Sequence, residues 1–227
     1  MKFVCGGTLF DSQHIVSAAH CFARYKSHAR FGVVIGSQYR WDKRPTLPEK
    51  LLPVKQLFVH EGFTMECYCN DVAILRLEQP LSSFVPACIP HYDPAGVGEN
   101  ATVLGWGDTS FHSEKRKFGV GTETLQRVDD LTIYPEEQCR NIMSRIARRN
   151  LPENFGDYYI CAGVPDGTKD ACIGDSGGPL LHEDYDGVWS IIGVVSFGYK
   201  CAEPGVPGTY SRISYYLPWI NKILETP

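Results

Sequence analysis

Glycine and proline interrupt this chain so often that long regular elements have little room: 22 glycines and 15 prolines are spread over 227 residues. Between them lie short runs rich in β-branched and apolar residues, Phe31 to Ile35, Val72 to Leu77, Ala101 to Leu104 and Ile191 to Phe197. Short apolar runs bounded by turn formers read as strands, and many in succession read as an all-β sandwich or barrel. Helical periodicity is confined to two places. At the C-terminus Tyr216, Ile220, Ile223 and Leu224 fall on one face, with Pro218 expected in the first turn, so this end should dock as a helix. From Pro135 through Glu136 and Glu137 to Arg145 and Arg148, acids open the segment and bases close it, as the helix macrodipole prefers. That pattern predicts a short surface helix. No repeat, low-complexity tract or composition shift divides the chain, and 43% hydrophobic residues suffice for one core.

Charge narrows the function classes. With 22 basic and 26 acidic residues the formal net charge is -4, which gives no electrostatic footprint for nucleic acid or for an anionic membrane. No apolar run approaches the length of a membrane span. The 9 cysteines are many for a reducing compartment and none form a C-x-x-C pair, so an oxidising, extracellular setting is expected and a zinc or redox centre is not. An odd count leaves at least one thiol free or paired outside the chain.

The chemistry is concentrated in three segments. Gly174-Asp175-Ser176-Gly177-Gly178-Pro179 places a serine in a turn whose glycines let backbone N–H groups converge on one point, which suits a nucleophile beside an oxyanion hole. Ser17-Ala18-Ala19-His20-Cys21 offers a histidine beside a cysteine, and Asn70-Asp71-Val72-Ala73-Ile74-Leu75 offers one acid entering an apolar strand. A serine hydroxyl needs a neutral imidazole to take its proton, and the imidazole needs a carboxylate to fix its tautomer. His20, Asp71 and Ser176 fill those roles in the chain order of chymotrypsin. Taken singly, each has a plainer reading: a glycine-rich turn, a core histidine satisfied by a carbonyl, a strand-edge cap. The other histidines, 14, 28, 60, 91, 112 and 182, lack such company and are expected to be structural or solvated.

These segments, with Cys5-Gly6-Gly7-Thr8-Leu9, Gly105-Trp106-Gly107 and Pro207-Gly208-Thr209-Tyr210, resemble the trypsin and chymotrypsin family over nearly the whole chain and in family order. The resemblance implies one catalytic domain over residues 1–227: two antiparallel six-stranded β-barrels closed by a C-terminal helix, with the site in the cleft between them. It further implies an oxyanion hole from the N–H groups of Gly174 and Ser176. Asp170 stands where trypsin-like members carry an acid at the base of the primary pocket, with Gly198 and Gly208 on its walls. A buried carboxylate there demands the cation of an arginine or lysine before the scissile bond; the alternative is a solvated loop acid. Ser196, Phe197 and Tyr68 match further substrate-binding positions. Phe197 replaces the usual tryptophan and Lys200 the usual glycine, and the stretch from Phe22 to Arg30 looks longer than in simple trypsins, so the outer subsites should be unusual and the cleft narrowed.

The resemblance pairs Cys5 with Cys21, Cys139 with Cys161 and Cys172 with Cys201. Cys67 and Cys69 are left without an assigned partner, since a bridge between cysteines two apart would be strained. Cys88 matches a cysteine that tethers a preceding light chain or prosegment in many members. The implied activity is a secreted, zymogen-activated endopeptidase, with macromolecular inhibitors as further partners. A cascade role is weighed against a digestive one, and an inactive binding module is disfavoured by the complete triad. In relatives a freed N-terminal ammonium pairs with the acid preceding the serine, here Asp175. The family segment preceding Cys5 is lacking, so the chain as it stands should have at most trace activity. Asn100-Ala101-Thr102 is a glycosylation sequon. No cofactor is expected, and no metal: the loop that binds calcium in some relatives holds Asp42 and Glu49 among basic neighbours, short of a calcium ligand set.

Overall fold

The computed structural model describes residues 2–25, 29–40, 42, 51–109, 121–146 and 151–226. The first half is a curled five-stranded sheet in the order β1-β2-β5-β4-β3, built from β1 (Thr8–Leu9), β2 (His14–Ser17), β3 (Gly32–Val34), β4 (Leu51–Val59) and β5 (Ala73–Leu77). The second half is a closed barrel of β6 (Asn100–Gly105), β7 (Gln126–Ile133), β8 (Tyr159–Gly163), β9 (Pro179–Glu183), β10 (Trp189–Phe197) and β11 (Gly208–Arg212). All paired strands are antiparallel. The all-β, chymotrypsin-like class therefore holds. Of the two six-stranded barrels expected, the second is closed, whereas the first is a half-barrel of five strands among the described residues. Its β1 edge is two residues long, too short to carry closure by itself.

Among the described residues three α-helices complete the architecture: α1 (Glu136–Ile146), α2 (Phe155–Tyr158) and α3 (Ile213–Leu224). The helix expected from acid-to-base polarity is α1, while Arg148 lies outside the described residues. The C-terminal helix α3 starts five residues before Pro218, which sits inside it and not in its first turn. Chain geometry explains the earlier start: β11 runs straight into α3, and Ile213 is fully buried at the junction. Pro218 lies on the exposed face, where its missing N–H costs least. Tyr216, Ile220 and Ile223 are buried as the periodicity requires, but Leu224 at the helix end is 40% exposed.

The packing places the two halves back to back. Ile15, Val16, Ile74, Leu75 and Leu77 of the first sheet share one apolar cluster with Ile191 and Val194 of β10 and with Ile213, Tyr216, Ile220 and Ile223 of α3. A separate cluster of Val103, Leu131, Ile160, Leu180, Ile192 and Tyr210 fills the closed barrel. Strand β10 is buried along nearly its whole length because both of its faces are covered, which is why its middle, Ile191 to Val195, carries no polar side chain. Each fully buried aliphatic side chain there contributes about 1.5–3 kcal/mol.

Candidate active site

The segments that carry His20 and Ser176 are turns, each held by packing that leaves little choice of residue. His20 sits in a single 3₁₀ turn, Ala19–Cys21, directly after β2, and a disulfide joins Cys21 to Cys5. Ser176 follows Asp175 in a turn that docks on the same place: Gly6 N–H donates to the Ser176 carbonyl at 2.9 Å. Gly177 has φ 80, and a Cβ there would lie 2.3 Å from Ser17 Oγ and 2.5 Å from the Gly6 carbonyl oxygen. A side chain at this position would push the serine turn off the histidine segment. Gly174, with φ 105, likewise occupies backbone space that suits glycine.

Asp71 precedes β5 and is fully buried. His20 donates to it twice, its backbone N–H to Oδ1 at 2.8 Å and its Nδ1 to Oδ2 at 2.7 Å. Ser196, at the far end of β10, donates its hydroxyl to Oδ2 at 2.5 Å, and the Ser211 hydroxyl of β11 donates to the Asp71 carbonyl at 2.8 Å. The imidazole is thus held in the tautomer with hydrogen on Nδ1, leaving Nε2 on the cleft side. Nε2 lies 3.8 Å from Cys21 Sγ, and no bond from His20 reaches Ser176 Oγ. Contacts of that kind commonly close only when substrate arrives.

Asp11 and His14 form a second Asp–His pair at 2.7 Å, but there the imidazole Nε2 accepts from Arg76 Nε at 2.9 Å. That histidine is held between an acid and a base, so its Nε2 is already engaged. His60 packs edge-on to Tyr216 and tilted against Trp219, and His182 bonds the Asn100 carbonyl. His91 is exposed, whereas His28 and His112 lie outside the described residues.

Asp170 lies two residues before Cys172, whose disulfide to Cys201 ties down the neighbouring loop. Its Oδ2 accepts from Ala202 N–H at 3.0 Å, but its buried Oδ1 has no hydrogen-bond partner among the described residues. Burial pushes this carboxyl up to about 7, with the Asp175 charge adding to the shift. The Tyr210 hydroxyl, also buried without a partner, lies close by: a Cβ on Gly208 would meet Asp170 Oδ1 at 3.0 Å and Tyr210 Oη at 3.1 Å. Around Gly198 nothing lies within 4 Å of the corresponding point. Asp170 is therefore a largely desolvated acid with one unanswered oxygen, not a solvated loop residue.

Asp175 is buried as well, accepting from Gly107 N–H at 2.7 Å and Cys172 N–H at 2.8 Å. Burial raises its pKa against those two donors, and no cation pairs with it among the described residues. On the rim, Tyr68 packs on His20 with ring centroids 5.4 Å apart and on Phe197 at 5.7 Å.

Disulfides also join Cys139 to Cys161 and Cys67 to Cys69. The last supplies the partners that the sequence left open: Tyr68 between them has a positive φ, and the two Cα atoms stand 5.0 Å apart, within bridging range. The loops of 16, 22 and 29 residues closed by the other bridges contribute roughly 3 kcal/mol each in the chain-entropy picture. Cys88 is exposed and free. Cys5, His20 and Cys21 cluster within 4.8 Å, but the bridge consumes both thiols and leaves no thiolate for a metal. Asp42 pairs with Arg40 at 2.7 Å, and Glu49 lies outside the described residues.

A family model, that of trypsin, matches residues 2–220. This chain belongs to the trypsin family of serine endopeptidases. The Clotting factor G beta subunit of Tachypleus tridentatus is 31% identical over 240 residues, which cover 98% of this chain and 71% of that protein. The Proclotting enzyme of the same organism is 33% identical over 95% of this chain and 57% of its own length. Trypsin-1 of Astacus astacus is 31% identical over 96% of this chain and 86% of its own. Membership in the family implies protein substrates. No helix among the described residues is long and apolar enough to cross a membrane.

Sequence reasoning missed the contribution of Ser211, which supports Asp71 from β11, and the bond from Ser196 to the same acid. Both are ordinary strand serines, and only the barrel topology brings them to Asp71.

Proposed function

We propose that this chain is the catalytic domain of a secreted endopeptidase that cuts after arginine or lysine by way of an acyl-enzyme on Ser176. The observation that carries the reading is Asp71, fully buried and bonded to both His20 Nδ1 and His20 N–H. The chemistry follows the family's triad and is taken from it. Ser176 Oγ attacks the scissile carbonyl carbon while His20 Nε2 takes its proton, and Asp71 steadies the imidazolium. The N–H groups of Gly174 and Ser176 stabilise the oxyanion. The C–N bond then breaks as Nε2 returns the proton to the leaving amine, and water, activated by the same nitrogen, releases the acid product.

Specificity for a basic side chain is supported by the desolvated Asp170 and its unpartnered Oδ1, for which a guanidinium or ammonium supplies the missing charge. Asp175, buried against neutral donors only, supports zymogen-type activation, in which an arriving N-terminal ammonium pairs with it and reorders the Gly174 N–H. A cascade role is favoured by the relatives named as clotting enzymes and by the exposed thiol of Cys88, free to tether a light chain. Four disulfides support secretion. Macromolecular protease inhibitors would compete for the same cleft, and the exposed Asn100 is a glycosylation candidate.

The test is direct. Processed enzyme should hydrolyse arginyl amides with a burst and take up a serine-directed phosphonate; Ser176→Ala should abolish both. Retained labelling in that variant would place the nucleophile elsewhere.

A further inference from the structure

The polar chain Asp11, His14, Arg76 lies outside the chemistry above, and it ends on the C-terminal helix. The Asp11 carboxylate accepts from three donors, Gln13 N–H at 2.6 Å, His14 N–H at 2.7 Å and His14 Nδ1 at 2.7 Å. Burial raises the Asp11 pKa, but the bonds from His14 and Gln13 outweigh it and hold the carboxyl below its usual value. The bond to Nδ1 fixes the hydrogen of the neutral ring there and leaves Nε2 a lone pair. That lone pair accepts from Arg76 Nε at 2.9 Å, across the β2–β5 pairing in which His14 and Arg76 stand opposite one another, both buried. The guanidinium then carries the connection across the fold. Its Nη2 donates to the Ile223 and Thr226 carbonyls at 2.7 Å each, while its Cζ stands 5.2 Å from the centroid of the Phe58 ring on β4. A helix leaves its last carbonyls without intrahelical partners and presents the negative end of its dipole there. Arg76 answers both needs from a distant strand, and so pins the end of α3 to β5.

The geometry points to Asp11, His14 and Arg76 as a pH-operated latch on the C-terminal helix, closed while His14 is neutral and open once it is protonated. A protonated imidazole carries hydrogen on both nitrogens. Nε2–H would then face Arg76 Nε–H, so the guanidinium would lose its acceptor and meet a second cation within hydrogen-bond range. It has to turn away, and its hold on the two carbonyls loosens. Asp11 still accepts from Nδ1 of the imidazolium, so protonation opens the latch without breaking the Asp11–His14 pair. Among the described residues, the charged groups facing the ring are Asp11, from the turn before β2, and Arg76, from β5. Phe10 adds an aromatic ring 6.0 Å away between centroids, and Lys222 and Glu225 at the helix end are exposed. The latch stands whether or not the endopeptidase reading holds.

The experiment follows the full chain, carrying Ser176→Ala to keep self-digestion out of the measurement, by NMR across the range from about pH 8 to about pH 5 in which imidazoles titrate. Ring-nitrogen chemical shifts report the hydrogens on His14. Amide exchange, corrected for its intrinsic pH dependence, reports opening of the helix end from Ile220 to Glu225. At the alkaline end the ring should carry hydrogen on Nδ1 alone. As it takes up the second proton, protection of those amides should fall roughly tenfold, the scale of one hydrogen bond to a charged group, and with the same midpoint as the ring. His60 also packs against α3, through Tyr216 and Trp219, so His14→Gln is the control. Its side-chain oxygen can accept from Arg76 and does not titrate, and the pH-dependent loss should vanish. The same loss in His14→Gln would assign it to another group and overturn the latch. Three results on the unaltered ring would also overturn it, even where His14→Gln fails to fold: hydrogen on Nε2 at the alkaline end, a ring that stays neutral throughout, or protection that does not follow the ring's midpoint.

Discussion

Asp71 and Asp170 are both carboxylates withdrawn from solvent, and their surroundings are opposite. Asp71 accepts from His20 N–H, His20 Nδ1 and Ser196 Oγ, so its charge is answered within the fold. Asp170 accepts from Ala202 N–H on one oxygen and from nothing among the described residues on the other. The first is a finished internal structure. The second is an unfinished one, whose desolvation is offset only when a cation enters. Buried charge is costly in either case, and the difference lies in whether the protein or the substrate answers it.

The sharpest way to break this comparison is to neutralise each acid. Asp71→Asn should lower kcat by about 10⁴-fold, a magnitude carried over from chymotrypsin-type triads and not from this geometry, because the amide favours the wrong imidazole tautomer. It should also lower the melting temperature, since the three donors lose a charged acceptor. Loss of less than tenfold in kcat would mean that Asp71 does not orient His20. Asp170→Ser should lower kcat/KM for arginyl substrates by roughly 10²- to 10³-fold, the scale of breaking a buried ion pair. Unlike the Asp71 change it should not destabilise the free enzyme, and thermal denaturation of the two variants side by side would show the contrast. A destabilised Asp170→Ser enzyme with intact arginyl preference would remove Asp170 from the pocket.

The smallest effect is the one on pH. With its pKa raised from 3.8 to about 7, Asp170 stays protonated in the folded state where it has ionised in the unfolded chain. The folded state binds more protons through that window, so this group makes the free enzyme less stable as pH rises from about 4 to about 7. A bound benzamidinium, as an arginine mimic, favours the ionised form. Its affinity should therefore climb with pH, at most about tenfold per unit, and level off above about 7. Calorimetry in buffers of different ionisation enthalpy should detect release of a proton on binding at acid pH. A flat affinity profile in the native enzyme would show that Asp170 is ionised before the cation arrives.

How much of this was legible in the chain depends on the range of each interaction. Alternating punctuation by glycine and proline marked the strands, since turn chemistry is local, and the runs around Ala73 and Ile191 fall in β5 and β10. Pro218 was placed wrongly because the helix start is set by the burial of Ile213 against the first sheet, a contact with no local trace. The partners of Cys67 and Cys69 stayed open in the sequence because spacing alone does not reveal a positive φ at Tyr68.

By itself the sequence determined the all-β class, the order of His20, Asp71 and Ser176, and the glycines that let the serine turn close. These are properties of short segments, where the steric and hydrogen-bonding preferences of a few residues decide the outcome. Only the tertiary structure decided which acids were answered and which were not. Ser196 lies 125 residues from Asp71 and Ser211 140, and closure of the barrel brings both to it. The fold also withdraws the Asp170 Oδ1 from solvent without supplying it a donor among the described residues. Burial and partnership are sums over the whole fold, so the charge state of a carboxylate becomes defined only once its distant neighbours are in place.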